Sequence, residues 1–217
     1  MESIIEVVTK FIRWTAHQRK TYVGGAPRYP MELSPDQYYH IYNRSNNSEV
    51  IFRSRKAYRR FLKKYKNYVE EFVDTIGFCL MPTHFHFLVF IKSPQVEKLK
   101  QNIGILLSSY TKAMNLIHNR HGSMFQRHTK AKHVDDDDYL ITLLTYIHQN
   151  PVRNGLVKKL EDWEFSSYRL YTDRDLAEDP DLPLIRRDVI TSHFSSIAEF
   201  EAYSKAVLEM VRKDIWV

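Results

Sequence analysis

Two apolar segments that meet at a two-residue turn constrain the fold more than any other feature of the sequence. VDTIGFCLM (73–81) is followed by Pro82 and Thr83 and then by HFHFLVFI (84–91). Each segment has the length of a strand, and the short connection predicts an antiparallel hairpin. Because side chains alternate across a strand and 84–91 is apolar on both faces, we expect this strand to be central in its sheet and covered on both sides.

Two histidines stand at the start of the second strand. His84 and His86 are two residues apart, so both side chains point to the same face of the sheet. Two imidazoles side by side on a rigid strand can form half of a metal site. Two core histidines that are satisfied by hydrogen bonds would explain the same pattern, and the choice between these interpretations depends on the rest of the chain.

The remaining pattern predicts the order of elements around this hairpin. A strand over 37–44 and a helix over 54–72 precede it, and a helix over 93–121, a strand over 122–134 and a helix over 135–150 follow it. This order predicts an α+β fold with a ferredoxin-like split β-α-β-β-α-β antiparallel sheet and additional C-terminal helices. Residues 1–36 are interpreted as an N-terminal extension, 37–172 as the main domain and 173–217 as a helical tail. Pro151 predicts that the helix over 135–150 ends at Asn150.

Composition excludes several classes of protein. The 217 residues are 43% hydrophobic, which argues against a disordered chain, and Cys79 is the only cysteine, so neither a disulfide framework nor a thiolate metal cluster is expected. No apolar run approaches the roughly 20 residues that span a bilayer, and the N-terminus lacks a signal-peptide pattern. These observations predict a cytoplasmic protein. A net charge of +6 suits a polyanionic partner.

The positive charge is concentrated in two places, FRSRKAYRRFLKKYK (52–66) and RHTKAK (127–132), and aromatic residues accompany it. Cations combined with stacking surfaces are typical of single-stranded nucleic-acid binding. A solvated helix face and an exposed strand would produce the same composition.

The helix over 135–150 presents a second candidate set of side chains. Tyr146 and Asn150 are four residues apart and therefore project from one face, beside the apolar stripe of the helix. If this helix packs on the sheet face that carries His84 and His86, the phenol and the amide meet the two imidazoles. A tyrosine at the edge of the core and an asparagine that ends a helix before proline would explain the same residues.

Five short motifs resemble one family when they are taken together. YYHIYNRSNN, CLMPTHFHFLV, GSMFQR, YIHQNPVRNGLV and DWEFSSYRLY occur in the order and at the spacing of the single-tyrosine HUH transposases, the insertion-sequence-200-like group that includes the REP-associated tyrosine transposases. The resemblance covers about residues 37–171, which makes 37–172 a catalytic domain of that type. Thr83 stands where the family commonly has Asn, and Ser45 where Gly often follows YNR.

The resemblance implies a metal-dependent endonuclease and transposase that cuts and rejoins single-stranded DNA through a 5′-phosphotyrosine intermediate. By this resemblance His84, His86 and Asn150 bind a divalent metal, Mg²⁺ or Mn²⁺, and Tyr146 is the nucleophile. Single-stranded or hairpin DNA is the expected partner, and the protein is expected to be a monomer or a homodimer. A domesticated, inactive DNA-binding protein of the same fold is the alternative. The candidate DNA-binding cations are Arg44, Arg120, Arg127, Lys130, Lys132 and Arg153.

Overall fold

Four strands form a single antiparallel sheet. The computed structural model describes residues 31–173, 176 and 179–215, with side chains through residue 206, so most of the predicted N-terminal extension lies outside the described residues. The strands are β1 Tyr38–Arg44, β2 Val73–Met81, β3 His84–Ile91 and β4 Lys130–Val134. Their order is β2-β3-β1-β4, and every neighbouring pair is antiparallel. The predicted α+β class and the central position of β3 are confirmed.

Six α-helices surround the sheet within the described part of the chain. Two short 3₁₀ helices, Asn46–Ser48 and Leu160–Asp162, lie in the connections. No helix among the described residues is long and apolar enough to cross a membrane. The helices are α1 Arg55–Tyr68, α2 Val96–His118, α3 Asp137–Arg153, α4 Tyr168–Thr172, α5 Asp188–Thr191 and α6 Ile197–Ile215.

The first face of the sheet is covered by α1 and α2. Ser54 caps the start of α1 by accepting a hydrogen bond from the amide of Ala57. The apolar stripe of α1 includes Phe61 and Leu62, which are completely buried. This stripe packs in one cluster with α2 and with the β3 side chains that point to this face, such as Phe85 and Phe87. The first face is therefore an aromatic-rich core.

The second face of the sheet is covered by α3 and by the C-terminal segment. Asp136 caps α3 through the amide of Asp138, and the acidic residues of the first turn complement the helix dipole, as predicted. Leu140, Leu143, Leu144 and Ile147 of α3 form a buried cluster with Leu88 of β3 and with residues of α4, α5 and α6. The C-terminal segment thus contributes to the same layer as α3.

A glycine in β2 permits the close approach of α3 to the sheet. A Cβ atom at Gly77 would lie only 2.2 Å from Cδ1 of Leu144 and 3.1 Å from the hydroxyl of Ser167. A β-bulge between Thr75 and Gly77 lies at the same place. Any side chain at position 77 would therefore have to displace the Leu144 side chain or the helix that carries it.

Several boundaries differ from the sequence predictions, and two of the differences have a structural cause. The fourth strand begins at Lys130 rather than at residue 122, because the preceding loop makes other backbone hydrogen bonds. The amide of Asn46 donates to the carbonyl of Met124, and the amide of Gln126 donates to the carbonyl of Arg44. The prediction that Pro151 ends α3 is wrong, since the helix continues through it to Arg153.

We expect the substitution Gly77→Ala to destabilise the protein by about 1–3 kcal/mol, because the added methyl group overpacks the contact with Leu144. Urea denaturation measures the free energy of unfolding. Gly104→Ala is the matched control, since a Cβ at that position of α2 meets nothing within 4 Å and alanine is favoured over glycine inside a helix by roughly 0.5–1 kcal/mol. Equal stability of the two variants would contradict the proposed tight contact.

Candidate active site

The two histidines of β3 lie on the second face of the sheet, at the end of the strand nearest the hairpin turn. Their ring centroids are 5.1 Å apart and the rings are nearly perpendicular. His86 is buried, with 8% of its surface exposed, and His84 is partly exposed. Burial, reinforced by the positive charge of Arg44 on the neighbouring strand, lowers the pKa of His84 to about 4. Both burial and the neighbouring imidazoles lower the pKa of His86. Neutral imidazoles are the form that binds metals.

A third histidine lies behind this pair. Nε2 of His40 in β1 is 2.9 Å from Nδ1 of His86, and both side chains are buried. Burial, together with the charge of Lys132, lowers the pKa of His40 to about 3. The other ring nitrogen of His86, Nε2, is buried and has no hydrogen-bond partner among the described residues. A buried imidazole nitrogen without a partner is costly, so this atom is suited to a ligand.

The docking of α3 places Tyr146 against the histidines. The Tyr146 ring centroid lies 6.3 Å from that of His86, with the rings nearly perpendicular. Tyr146 is partly exposed, whereas its neighbours on both sides in α3 are buried. The guanidinium carbon of Arg153 lies 5.1 Å from the centroid of the same ring. The helix therefore brings one phenol and one cation to the face that carries the two imidazoles.

Asn150 lies one helical turn beyond Tyr146 and is buried. Its side-chain nitrogen donates to the carbonyl of Tyr146 at 2.9 Å and to that of Ile147 at 3.4 Å. Pro151 has no amide hydrogen for the Ile147 carbonyl, so Asn150 partly replaces the missing bond and lets α3 continue. These hydrogen bonds give Asn150 a structural role. For the predicted role as a metal ligand, Oδ1 is the suitable atom.

The predicted DNA-binding cations fall into two groups. Lys130 and Lys132 of β4 stand opposite Tyr42 and His40, on the same face as the histidines, and Arg44 stands opposite His84. With Arg153 beside Tyr146, these four cations surround the site.

Arg120 and Arg127 lie elsewhere. Both line a groove of about 1150 Å³ between α2 and the loop 119–129. Arg120 forms an ion pair with Glu49 and a hydrogen bond to Asn115, which gives it a structural role. The basic stretch 52–66 lies mainly in α1, on the first face, where Arg55 and Arg59 are paired with Glu164.

Three other residues near these elements have structural roles. Tyr110 is completely buried and donates to the carbonyl of Ile51. Trp163 donates to the carbonyl of Leu80. His148, two residues before Asn150 in α3, is completely buried and its Nε2 bonds to the hydroxyl of Ser167 at 2.8 Å.

His40, in the motif YYHIYNRSNN, and Thr83, a departure from the family pattern, both contact the histidine pair. The hydroxyl of Thr83 is 3.0 Å from Nδ1 of His84, so each histidine of the pair has a polar neighbour at Nδ1. His40 could be assigned to this place only after β1 was known to pair with β3. Among the described residues no group of three or more His, Cys, Asp or Glu side chains is placed to hold a metal.

Comparisons with known proteins agree with this fold and this motif set. The chain is 26% identical over 130 residues to a Haemophilus influenzae protein named as a candidate REP-associated tyrosine transposase, an alignment that covers 56% of this chain and 70% of that protein. A solved REP-associated tyrosine transposase bound to a REP hairpin superposes with a TM-score of 0.53 at 18% identity and covers 71% of this chain and 88% of that one.

A bacterial tRNA(His) guanylyltransferase-like protein in complex with GTP, with a TM-score of 0.44 at 9% identity over 78% of this chain and 82% of that one, is too distant to support an inference. No protein-family model matches the chain. The chain is therefore similar in sequence to a protein named as a candidate REP-associated tyrosine transposase, and it shares the α+β fold of a solved one. These comparisons confirm the resemblance that the five motifs indicated.

The pH dependence of stability tests the burial of His148 in α3. Burial lowers its pKa to about 3, against about 6.5 in the unfolded chain. The unfolded state therefore binds the additional proton, and stability is lost as the pH falls below 6.5. We expect the free energy of unfolding of the wild type to fall by about 2 kcal/mol more than that of His148→Leu between pH 7.5 and pH 5, measured by urea denaturation at both values. Parallel losses in the two proteins would contradict this assignment.

Proposed function

We propose that the protein is a single-stranded DNA transesterase of the transposase type, which cuts and rejoins DNA through a covalent phosphotyrosine. The observation that carries the proposal is the position of Tyr146, whose ring packs against His86 on the face of the sheet that also carries His84. The phenol is partly exposed and lies beside two neutral imidazoles, which leaves it accessible to a substrate.

The donor set suits a divalent cation. The buried, unpartnered Nε2 of His86 fits a metal, and His84 and Asn150 are the proposed further ligands. Imidazole and amide donors do not select one divalent metal sharply, and Mg²⁺ or Mn²⁺ is proposed from the family resemblance. When bound, such a cation polarises the scissile phosphate and stabilises the charge that develops on it.

The proposed reaction is an in-line displacement at phosphorus. The phenol oxygen of Tyr146 forms a bond to the phosphorus of the 5′-phosphate as the bond from phosphorus to the 3′ oxygen breaks. The phenol loses its proton, and the leaving 3′ oxygen takes up one proton to become the 3′-hydroxyl. The phosphotyrosine conserves the energy of the broken bond, so rejoining requires no nucleotide cofactor. Arg153, next to the Tyr146 ring, is placed to stabilise the anionic phosphate.

Single-stranded or hairpin DNA is the proposed partner. Lys130, Lys132, Arg44 and Arg153 surround the site on one face, and cations beside aromatic rings suit a single strand. The solved structural neighbour is bound to a REP hairpin, which supports the same class of ligand here. We propose that the protein acts in the cytoplasm, as a monomer or a homodimer.

A second candidate function is DNA binding without cleavage. The hydrogen bonds that Asn150 makes to the α3 carbonyls favour it, because they give this residue a purpose that needs no metal. The hydrogen bond between Thr83 and His84 favours the cleaving function. Thr83 stands where the family commonly has Asn, and its hydroxyl still holds the ring of His84.

We expect the wild type to form a metal-dependent covalent adduct with DNA. The assay incubates the protein with a labelled library of DNA hairpins that carry randomised single-stranded flanks, adds Mn²⁺ and resolves the products on a denaturing gel. Tyr146→Phe should form no adduct, because it lacks the attacking oxygen, and should bind DNA within about threefold, or about 0.7 kcal/mol, of the wild type. His84→Ala should also fail to form an adduct.

Tyr110→Phe is the matched control. It removes a tyrosine hydroxyl from the first face of the sheet and should retain adduct formation, at a cost of about 0.5–1.5 kcal/mol of stability for the lost hydrogen bond to Ile51. An adduct that persists in Tyr146→Phe, or that maps to Tyr110, would overturn the assignment. DNA binding by the wild type with no adduct would select the binding-only function.

A further inference from the structure

The hydrogen bond between His40 and His86 constrains which nitrogen of His86 carries a proton. The bond joins Nε2 of His40 to Nδ1 of His86 at 2.9 Å. One of these two atoms donates and the other accepts, so two arrangements are compatible with the distance. The rings are close to parallel, with centroids 5.1 Å apart, and both residues are at least nine-tenths buried. Water therefore competes little for either nitrogen.

The two arrangements have opposite consequences for the other side of the His86 ring. If His40 donates, neutral His86 carries its proton on Nε2, where a buried N–H group without a partner would remain. If His86 donates from Nδ1, its Nε2 carries a lone pair instead, which can bind a metal. Only the second arrangement gives the buried Nε2 atom a function.

We propose that His40 is a positioning residue. Its Nε2 accepts a hydrogen bond from the protonated Nδ1 of His86, and this bond presents the unprotonated Nε2 of His86 to the divalent metal. This inference rests on the metal role proposed above for His84 and His86. Histidine ligands commonly donate their second nitrogen to a neighbouring acceptor, which fixes the tautomer and the ring orientation.

His84 has a parallel arrangement. Its Nδ1 lies 3.0 Å from the hydroxyl of Thr83, whose oxygen can accept a hydrogen bond from it. Both histidines therefore have Nδ1 occupied by a neighbour and offer Nε2 to the same side of the sheet. His40 itself is not a third ligand, because its Nε2 accepts the hydrogen bond from His86 and its Nδ1 then carries the proton of the neutral ring.

Nitrogen NMR of the metal-free protein tests the tautomer directly. The protein is labelled with ¹⁵N-histidine, and the signals of His86, among ten histidines, are assigned with the variant His86→Gln. The expected result is a protonated Nδ1 and an unprotonated Nε2 on His86 at neutral pH. A protonated Nε2 on His86, or an equal mixture of tautomers, would overturn the proposal. This result depends on neither cleavage nor metal binding.

Two variants of His40 test the consequence for metal binding, measured by Mn²⁺ calorimetry without DNA. His40→Leu keeps a buried side chain but cannot accept the proton, and a 10- to 100-fold loss of affinity is expected. His40→Gln carries an oxygen near the position of Nε2 and is expected to bind within about threefold of the wild type.

The outcomes separate positioning from a merely structural role. Wild-type affinity in His40→Leu would overturn the proposal. A loss in His40→Gln equal to that in His40→Leu would do the same, because it would show that shape rather than hydrogen bonding matters. If the wild type itself bound no Mn²⁺, the metal role of His84 and His86 would fail, whereas the NMR result would still decide the direction of the hydrogen bond.

Discussion

The contact between α3 and the sheet across Gly77 is the constraint on which the site depends. Leu144 occupies the space that a side chain at position 77 would fill. Tyr146 follows Leu144 by two residues in the same helix, so the contact of Leu144 with the sheet helps to hold the helix that brings the phenol to His86. The hydroxyl of Ser167 accepts a hydrogen bond from the amide of Phe78 in β2 and also bonds to His148 in α3, so it links the same strand to the same helix. A hydrophobic contact thus controls the geometry of a polar site.

The polar groups of the site lie where the cover of the sheet ends. Near Leu88 the second face is covered by α3 and is dry, whereas His84 and Tyr42 near the ends of their strands are partly exposed. His86 lies between these regions. Burial keeps its imidazole neutral, and its neighbours leave one nitrogen available. One strand therefore contributes both to the core and to the candidate active site, because its side chains change surroundings along its length.

The sequence predicted the elements better than the contacts between them. The hairpin of β2 and β3 and the acidic start of α3 could be predicted because alternation and capping are local properties. The hydrogen bond between His40 and His86 could not, because it depends on the pairing of β1 with β3, two strands that are separated along the chain by residues 45–83. The end of α3 was predicted wrongly for a related reason, since the side chain of Asn150 compensates for the amide that Pro151 lacks.

The central claim is that Tyr146 lies within reach of a metal held by the histidines of β3. Paramagnetic broadening by Mn²⁺ tests it most directly, in protein whose 14 tyrosines carry ¹³C in the ring and whose signals are assigned with single Tyr→Phe variants. We expect substoichiometric Mn²⁺ to broaden the Tyr146 signal strongly and to leave that of Tyr110, on the opposite face of the sheet, sharp. In His84→Ala the selective broadening of Tyr146 should disappear. An unaffected Tyr146 signal in protein that binds Mn²⁺, or equal broadening of Tyr146 and Tyr110, would contradict the account.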